Sequence, residues 1–395
     1  MSKREVVILS GVRTAIGDYG GSLKDFPPTQ LGAMVVREAV ARAKVDPGEI
    51  AQCVIGNVIH TEPKDMYVSR VCGVNGGLPH TSGALTVNRL CGSGMQAIVS
   101  ASQYILLGDI DAAVAGGTES MSRGAYANLT QRWGARMGDA KVMDMMVGAL
   151  TDPFDTMHMG LTAEAVASKC SISREKQDAF AVLSHQRAAA AQAGGYFKGQ
   201  ILPIEIKSKK GSTMFETDEH VRSDVTVESL GKLKAVFQKE NGTVTAGNAS
   251  GINDAAAAVV LMEASAAQRK GLKPMARLVS YGHAGIDPKI MGLGPVSAVK
   301  NALAKAELSL KDIDVIESNE AFAAQALGVS QELGLDPAKV NPNGGAVALG
   351  HPIGATGCIL TVKAMYELQR TGKRYGLITM CIGGGQGIAA VIERL

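Results

Sequence analysis

AVARAKVDPGEI at residues 39–50 returns later in the chain as ALAKAELSLKDI at residues 302–313. Aligned without gaps, Ala39, Ala41 and Ala43 meet Ala302, Ala304 and Ala306. Val40 meets Leu303, Arg42 meets Lys305, Glu49 meets Asp312, and Ile50 meets Ile313. Each copy ends a helix-like run, crosses a short loop and enters an apolar strand, CVIGNVI (53–59) after the first and DVIESNEAF (314–322) after the second. The echo continues in AAVAGGTES (112–120) and LITMCIGGG (377–385), two buried-looking strands that stop at glycines. A long helix-like stretch precedes each, near residues 94–107 and 355–370. Strands alternating with helices imply an α/β layered fold. Two such units in one chain imply a duplicated fold with pseudo-twofold-related halves. A chance match between alanine-rich stretches is the competing explanation.

Between the halves the composition changes. The region around 119–250 carries most of the charge runs, the only tryptophan (Trp133) and the methionine-rich MGDAKVMDMMVGAL (137–150). Within it, SREKQDAFAVLSHQRAAAAQAG (173–194) reads as a helix capped by Ser173 and stopped at Gly194-Gly195. The region reads as an insertion that supplies a lid or substrate-binding surface. ASGINDAAAAVVLMEASAAQRKGL (249–272) then returns as a strand and helix. The expected division is residues 1–118 with 251–272 for the N-terminal half, 119–250 for the inserted loop domain, and 273–395 for the C-terminal half.

Composition narrows the function. Hydrophobic residues make up 46% of the 395 and charged residues 19%, which fits a large core and not a disordered chain. The net charge is only +3, and the densest basic run, residues 207–210, reads as a solvated loop. Aromatics at 4% leave little for base stacking, so no nucleic-acid partner is expected. The six cysteines (53, 72, 91, 170, 358 and 381) form no CxxC pair, and no HExxH or finger spacing occurs, so no metal is expected. The N-terminal MSKREVVILSGVRT has a strand's length of apolar residues, far short of a membrane span, and no cleavage signature. The expectation is a cytoplasmic protein with free thiols and no membrane partner. The Asn-X-Ser/Thr patterns at 128, 241 and 248 then read as coincidence.

Four turns could carry chemistry. In NRLCGSGMQAIVSA (88–101), Cys91 sits where a strand turns into a helix. The positive end of the helix dipole is expected to lower its pKa, although a buried structural cysteine would look similar. In NPNGGAVALGHPIGATG (341–357), His351 lies in a glycine-rich loop before a helix. Its ordinary pKa suits proton transfer, and an exposed loop histidine is the plainer alternative. LITMCIGGGQGIAA (377–390) has glycines after Cys381 but then IAAVIERL, a strand and the chain end, with no helix and no Lys-Ser/Thr. Dinucleotide and Walker loops are thereby rejected. What remains is a cysteine beside the free N–H groups of Gly383 and Gly384, suited to an oxyanion. In ESNEAFAAQAL (317–327), Asn319 ends a strand and starts a helix, where it could equally be an N-cap. If the halves are related by a twofold axis, these turns can converge. A second cysteine beside a Cys–His pair makes sense where a proton next to a carbonyl must also be moved.

These residues resemble the thiolases, specifically the acetyl-CoA acetyltransferases and β-ketothiolases of the bacterial biosynthetic type. NRLCGSGMQA, HMGLTAEAVA, GNASGINDAAAA, SNEAFAAQ, NGGAVALGHPIGATG and MCIGGGQG are all similar to that family's motifs, and the likeness covers nearly the whole chain. TEPKDMY (61–67) and RWGARMGD (132–139) resemble the broad-range enzymes that feed polyhydroxyalkanoate synthesis. The resemblance implies a layered α-β-α-β-α fold and ping-pong transfer. Cys91 would take the acyl group and His351 would activate it. Cys381 would remove a proton from the second acetyl-CoA. Asn319 would hold a water that cradles the enolate oxygen with His351, while the N–H groups of Cys91 and Gly383 bind the oxyanion. It further implies a coenzyme A tunnel lined by Ser250, His158, Met159, Phe237, Ala246 and Phe322, with Arg222 near the nucleotide end. Read alone, Phe237 and Met159 would be core. The substrates implied are acetyl-CoA and short 3-ketoacyl-CoA, with no metal or redox cofactor, in a homotetramer built as a dimer of dimers.

Two other readings remain at this stage. A ketoacyl-synthase-like condensing enzyme would place a histidine or asparagine where Cys381 stands. A catalytically dead lipid carrier would lack one of the reactive residues, yet all are present. Met291, Leu293 and the 143–150 cluster are candidates for shaping an acyl pocket.

Overall fold

The computed structural model of the chain describes residues 4–209 and 211–395. Among them one 11-stranded mixed sheet dominates. Its long strands are β1 (Val6–Thr14), β2 (Gln52–Gly56), β3 (Gly83–Val87), β4 (Ala112–Ser120), β5 (Asn253–Glu263), β6 (Ala276–Gly285), β7 (Val315–Ser318), β8 (Tyr375–Ile382) and β9 (Gln386–Arg394). Short strands Gly17–Asp18 and Ile201–Leu202 pair with β5 and β1. The spatial order is β7-β8-β9-β6-β1-β5-β4-β2-β3. Read outward from the middle, β1, β5, β4 and β2 mirror β6, β9, β8 and β7. In each arm the first two pairings are antiparallel and the third is parallel.

The long helices are α1 (Pro28–Ala43), α2 (Ser93–Leu107), α3 (Met159–Lys169), α4 (Arg174–Ala193), α5 (Gly294–Ala306), α6 (Ala323–Leu333) and α7 (Thr356–Thr371). The echoed segments occupy equivalent places: one closes α1 and leads to β2, the other closes α5 and leads to β7. α1 packs on β1, β5 and β4, and α5 packs on β6, β9 and β8. α2 and α7 touch each other and reach strands of both arms, α2 meeting β9 and α7 meeting β5 and β1. The sheet is therefore doubled over this helix pair, giving five layers, helix–sheet–helix–sheet–helix. The arms join at a seam of three residue pairs, Val6–Leu278, Val7–Arg277 and Ile8–Ala276.

Being covered on both faces explains why β1, β4 and β5 are buried along their whole length and read as nearly unbroken apolar runs. One core cluster includes Ile98 of α2, Leu360 and Met365 of α7, Val259 of β5 and Ile388 of β9. The N-termini of α2 and α7 approach backbone to backbone. A Cβ on Gly94 would run into Cys358, and one on Gly357 into Met95, so neither position accepts a side chain.

The insertion leaves the sheet after Ser120 and re-enters at Asn253. The expected boundary at 119 thus falls inside β4. Glu119, despite its charge, is fully buried in that strand. Ser173 caps α4 by accepting from the Lys176 N–H, as expected. The basic run at 207–210 is not a plain loop. Lys207 and Ser208 end a strand, Ile204–Ser208, that pairs with Gly211–Phe215, because Ile204 and Ile206 alternate with Glu205 and Lys207. Lys210 lies outside the described residues. The insertion is pinned to β1 by a fully buried bidentate pair, Arg13 Nη1 to Asp218 Oδ1 at 2.7 Å and Nη2 to Oδ2 at 3.0 Å. No helix among the described residues is long and apolar enough to cross a membrane.

Candidate active site

Cys91 stands at the end of a kinked loop between β3 and α2. Leu90 has a φ of 45°, unusual for a side chain of that size. The turn is held by Asn88 Oδ1 accepting the Leu90 N–H at 2.9 Å, and by Ser93 Oγ accepting the Arg89 N–H at 2.8 Å. Of the six cysteines, all free, five are buried and Cys91 keeps partial exposure to the cavity, although its sulfur is largely desolvated. The helix dipole does not win here. Burial pushes the Cys91 thiol up to about 11, against the lowering effect of the Gly383 and Cys91 N–H groups, and nearby Glu119 adds to the rise. The expectation of a lowered pKa fails because α2 begins only at Ser93, in a dry surrounding. Both N–H groups expected to bind an oxyanion are turned toward the sulfur itself.

His351 follows Gly350, whose φ of 106° only glycine adopts readily. It is buried, not an exposed loop residue. Its Nδ1 lies 2.7 Å from Thr356 Oγ1, which itself donates to the Pro352 carbonyl at 3.0 Å. With the hydroxyl proton committed there, Thr356 can only accept from Nδ1–H. That assignment leaves Nε2 as the unprotonated nitrogen. Asn319 Nδ2 lies 3.4 Å from this Nε2. Burial lowers the imidazole to about 4, so it is a neutral base.

Asn319 is not an N-cap, since α6 starts at Ala323 with Phe322 as its cap residue. It follows β7, anchored by its N–H to the Thr379 carbonyl at 2.9 Å. Its buried Oδ1 has no hydrogen-bond partner among the described residues. Cys381 lies near the end of β8, opposite Gly387 in the β8–β9 hairpin. Gly383, Gly384 and Gly385 form the turn, the latter two with φ of 79° and 82°. Burial and the neighbouring Cys91 both push the Cys381 thiol upward. The two thiols are thus close enough to feel each other.

Cys91, His351, Cys381 and Gly383 line one cavity of about 430 Å³. Ser250, His158, Met159, Arg222, Phe237, Ala246 and Phe322 line it too. Asn319 stands behind His351 and is not itself on the wall. Phe237 stacks on His158 at 4.6 Å and meets Phe322 edge-on at 6.3 Å, forming one aromatic side. Gly160 exists for this wall, since a Cβ there would enter the Phe237 ring. His158 caps α3, its Nδ1 accepting the Gly160 N–H at 3.1 Å. Arg222 is exposed and makes no ion pair among the described residues. The amino ends of α2, α3, α6 and α7 all abut the cavity, through Cys91, His158, Phe322 and Ile353. Their dipoles favour negative charge inside it. Met291, Ala149 and Leu150 are on the wall, whereas Leu293 packs away from it against Val166 and Val329.

Sequence reading missed four supporting residues. Glu119 accepts N–H groups of Val58, Ile59 and Gly354 at 3.2, 3.1 and 2.8 Å, tying the β2 exit to the His351 loop. Burial raises its carboxyl to about 8. Thr356, Asn253 and His220 complete the set. The partners of Glu119, Asn253 and His220 are far away in the chain, so no local pattern marks them, while Thr356 lies only five residues from His351 and reads as an ordinary first residue of a helix.

Comparison with known proteins agrees along the whole chain. The family model described as Thiolase, N-terminal domain, matches residues 6–265, and Thiolase, C-terminal domain, matches residues 272–394. A Cupriavidus necator protein named β-ketothiolase BktB is 65% identical over 392 residues, covering 99% of this chain and 100% of its own. An acetyl-CoA acetyltransferase of Chromobacterium violaceum is 48% identical over 392 residues, with 99% and 100% covered. The crystal structure of human mitochondrial 3-ketoacyl-CoA thiolase superposes with a TM-score of 0.98 at 45% identity, covering 100% of both chains.

Proposed function

The chain belongs to the thiolase family, and on that premise we propose how its side chains divide the work. It is an acetyl-CoA C-acetyltransferase of the β-ketothiolase type. It joins two acyl-CoA molecules in a reversible Claisen condensation, giving a 3-ketoacyl-CoA and free coenzyme A. One observation carries the assignment of roles. Two thiols, a neutral imidazole and paired N–H groups converge on one cavity.

His351 Nε2 takes the Cys91 proton as the sulfur attacks the first thioester carbonyl. The N–H groups of Cys91 and Gly383 receive the oxyanion. Collapse expels the coenzyme A thiolate, which takes the Cys381 proton and leaves as the thiol. The Cys381 thiolate then removes a proton from the α-carbon of the second acetyl-CoA. The imidazolium of His351 faces the enolate oxygen. The free Oδ1 of Asn319 suits a water that gives its other proton to the same oxygen. The enolate carbon attacks the acyl-Cys91 carbonyl, and the C–S bond breaks. Cys91 then recovers its proton from His351. Every proton and electron pair is accounted for by these groups, so no metal or redox cofactor is proposed.

The pantetheine arm is assigned to the wall of Ser250, His158, Met159, Phe237, Ala246 and Phe322, with Arg222 at the phosphate-bearing end. Next to Cys91 lies an apolar group of Ile59, Met121 and Ile353 with Met146 and Ala149. That surface supports acyl chains longer than acetyl. With the β-ketothiolase relative it supports a broad-range enzyme; the proposal extends to a cytoplasmic homotetramer of polyhydroxyalkanoate and fatty acid metabolism.

The test is mass spectrometry of protein exposed to acetyl-CoA. Cys91→Ser is expected to show no acetyl adduct. Cys381→Ala is expected to acetylate at Cys91 yet form no acetoacetyl-CoA. An adduct at full yield in Cys91→Ser would sink the assignment.

A further inference from the structure

The backbone of His351 is held by hydrogen bonds that lead back to the cavity mouth. Its N–H donates to Asn253 Oδ1 at 2.9 Å. The Asn253 amide nitrogen donates to the Gly17 carbonyl at 3.1 Å and reaches Asp18 Oδ1 at 3.3 Å. That carboxylate oxygen lies 2.6 Å from Nδ1 of His220, whose ring lines the cavity. The register of the sheet sets Asn253 directly opposite Asp18.

The loop has few other handles at this point. Pro352 has no N–H to give, and the next tether is the Gly354 N–H on Glu119. The His351 N–H is therefore the donor that sets the loop's height over the sheet. The backbone is shaped to the same partner. A Cβ on Gly350 would strike the Asn253 amide, and one on Gly251 would strike both Asn253 and the His220 ring. Asn253 is fully buried and its amide is fully used. No such arrangement is needed merely to begin strand β5.

We propose that Asn253 is a positioning residue for His351, and that Asp18 and His220 extend the same strut to the substrate at the cavity mouth. The imidazole of His220 commits Nδ1 to Asp18 and turns the rest of its ring to the cavity. A thioester lying against that ring then bears on the strut that sets the base. Binding at the mouth and placement of His351 Nε2 share one set of hydrogen bonds. The inference rests on the reading of His351 as the base.

The experiment uses the full-length enzyme and four variants, Asn253→Ser, Asp18→Asn, His220→Phe and His351→Gln. Three quantities are measured: kcat and KM for thiolysis of acetoacetyl-CoA, and the rate of Cys91 alkylation by iodoacetamide against pH. Asn253→Ser is expected to lose roughly 10- to 100-fold in kcat, as for a base displaced by about an ångström. Its KM should stay within about twofold, and Cys91 alkylation near neutral pH should slow as in His351→Gln. Asp18→Asn and His220→Phe should lower kcat and the alkylation rate in the same direction by less. Asp18→Asn carries the test if Asn253→Ser fails to fold. Parental kcat and alkylation in Asn253→Ser, beside a defective His351→Gln, overturn the positioning role alone. Parental behaviour in both overturns the base assignment and this inference with it. A His220→Phe defect confined to KM overturns the link to the mouth.

Discussion

Cys91 and His351 line one cavity uncharged, which governs the pH behaviour of the first step. The thiol is held up at about 11 and the imidazole down at about 4. Proton transfer between them leaves the net proton count unchanged, so the rate of acylation is flat wherever both start neutral. The expectation is a plateau through neutral pH with no inflection at 6.5, the ordinary histidine value. Rapid-quench measurement of acetyl-Cys91 across pH checks it, and an acid limb centred near 6.5 contradicts it. The sign for stability follows from the same burial. Between about 4 and 6.5 the unfolded chain binds the His351 proton and the folded one does not, so acidification through that window destabilises. Glu119 acts oppositely. Its carboxyl keeps its proton to about 8 when folded, so stability falls as pH rises from 4.5 to 8. The glycine-flanked turns marked Cys91, His351 and Cys381 as candidates, and the structure brings all three to one cavity. The direction of the Cys91 shift was not legible in the sequence, because burial belongs to the assembled cavity and not to the residues beside it in the chain.

At the scale of elements, the site depends on how β7 and α7 are fastened together. Lys363 Nζ in α7 meets Glu317 Oε2 in β7 at 2.7 Å and donates to the Gly344 carbonyl at 2.7 Å, with both side chains buried. β7 leads to Asn319, and the first residue of α7, Thr356, orients His351. Removing one member strands a charge in the core. Lys363→Ala is therefore expected to lose about 3–5 kcal/mol of unfolding free energy in a urea titration. The double replacement Lys363→Met with Glu317→Leu should lose much less. A loss under about 1 kcal/mol in the single variant would remove the pair from this role. Helix stops and caps were readable where they are local, as at Ser173. Asn319 misled because its cap-like position is followed by further residues before α6 begins. Asn253, Glu119 and Lys363 were invisible because each is bonded to a residue many positions away in the chain.

At the scale of the molecule, the echo at 39–50 and 302–313 made the two halves legible, but not the seam or the doubling of the sheet over α2 and α7. The insertion leaves several large apolar side chains exposed, with Trp133 and Met137 at 90% and 97% exposure and Leu129, Val142 and Phe154 nearby in sequence and also exposed. β3 is an open edge of the sheet. Surfaces of this kind are normally covered by a partner. Four copies per particle is the expected result of light scattering at micromolar protein. Trp133→Glu with Met137→Glu is expected to give smaller particles, and a parent that scatters as a monomer contradicts the proposal. The seam of three residue pairs at β1 and β6 has a further consequence. Cys91 belongs to one arm and Cys381 to the other, and the glycine-tight contact of α2 and α7 lies between those arms. A twist of one arm against the other would change the gap between the two sulfur atoms. The two thiols are supplied from opposite sides of the seam, so the quiet of the whole body becomes a condition of the chemistry.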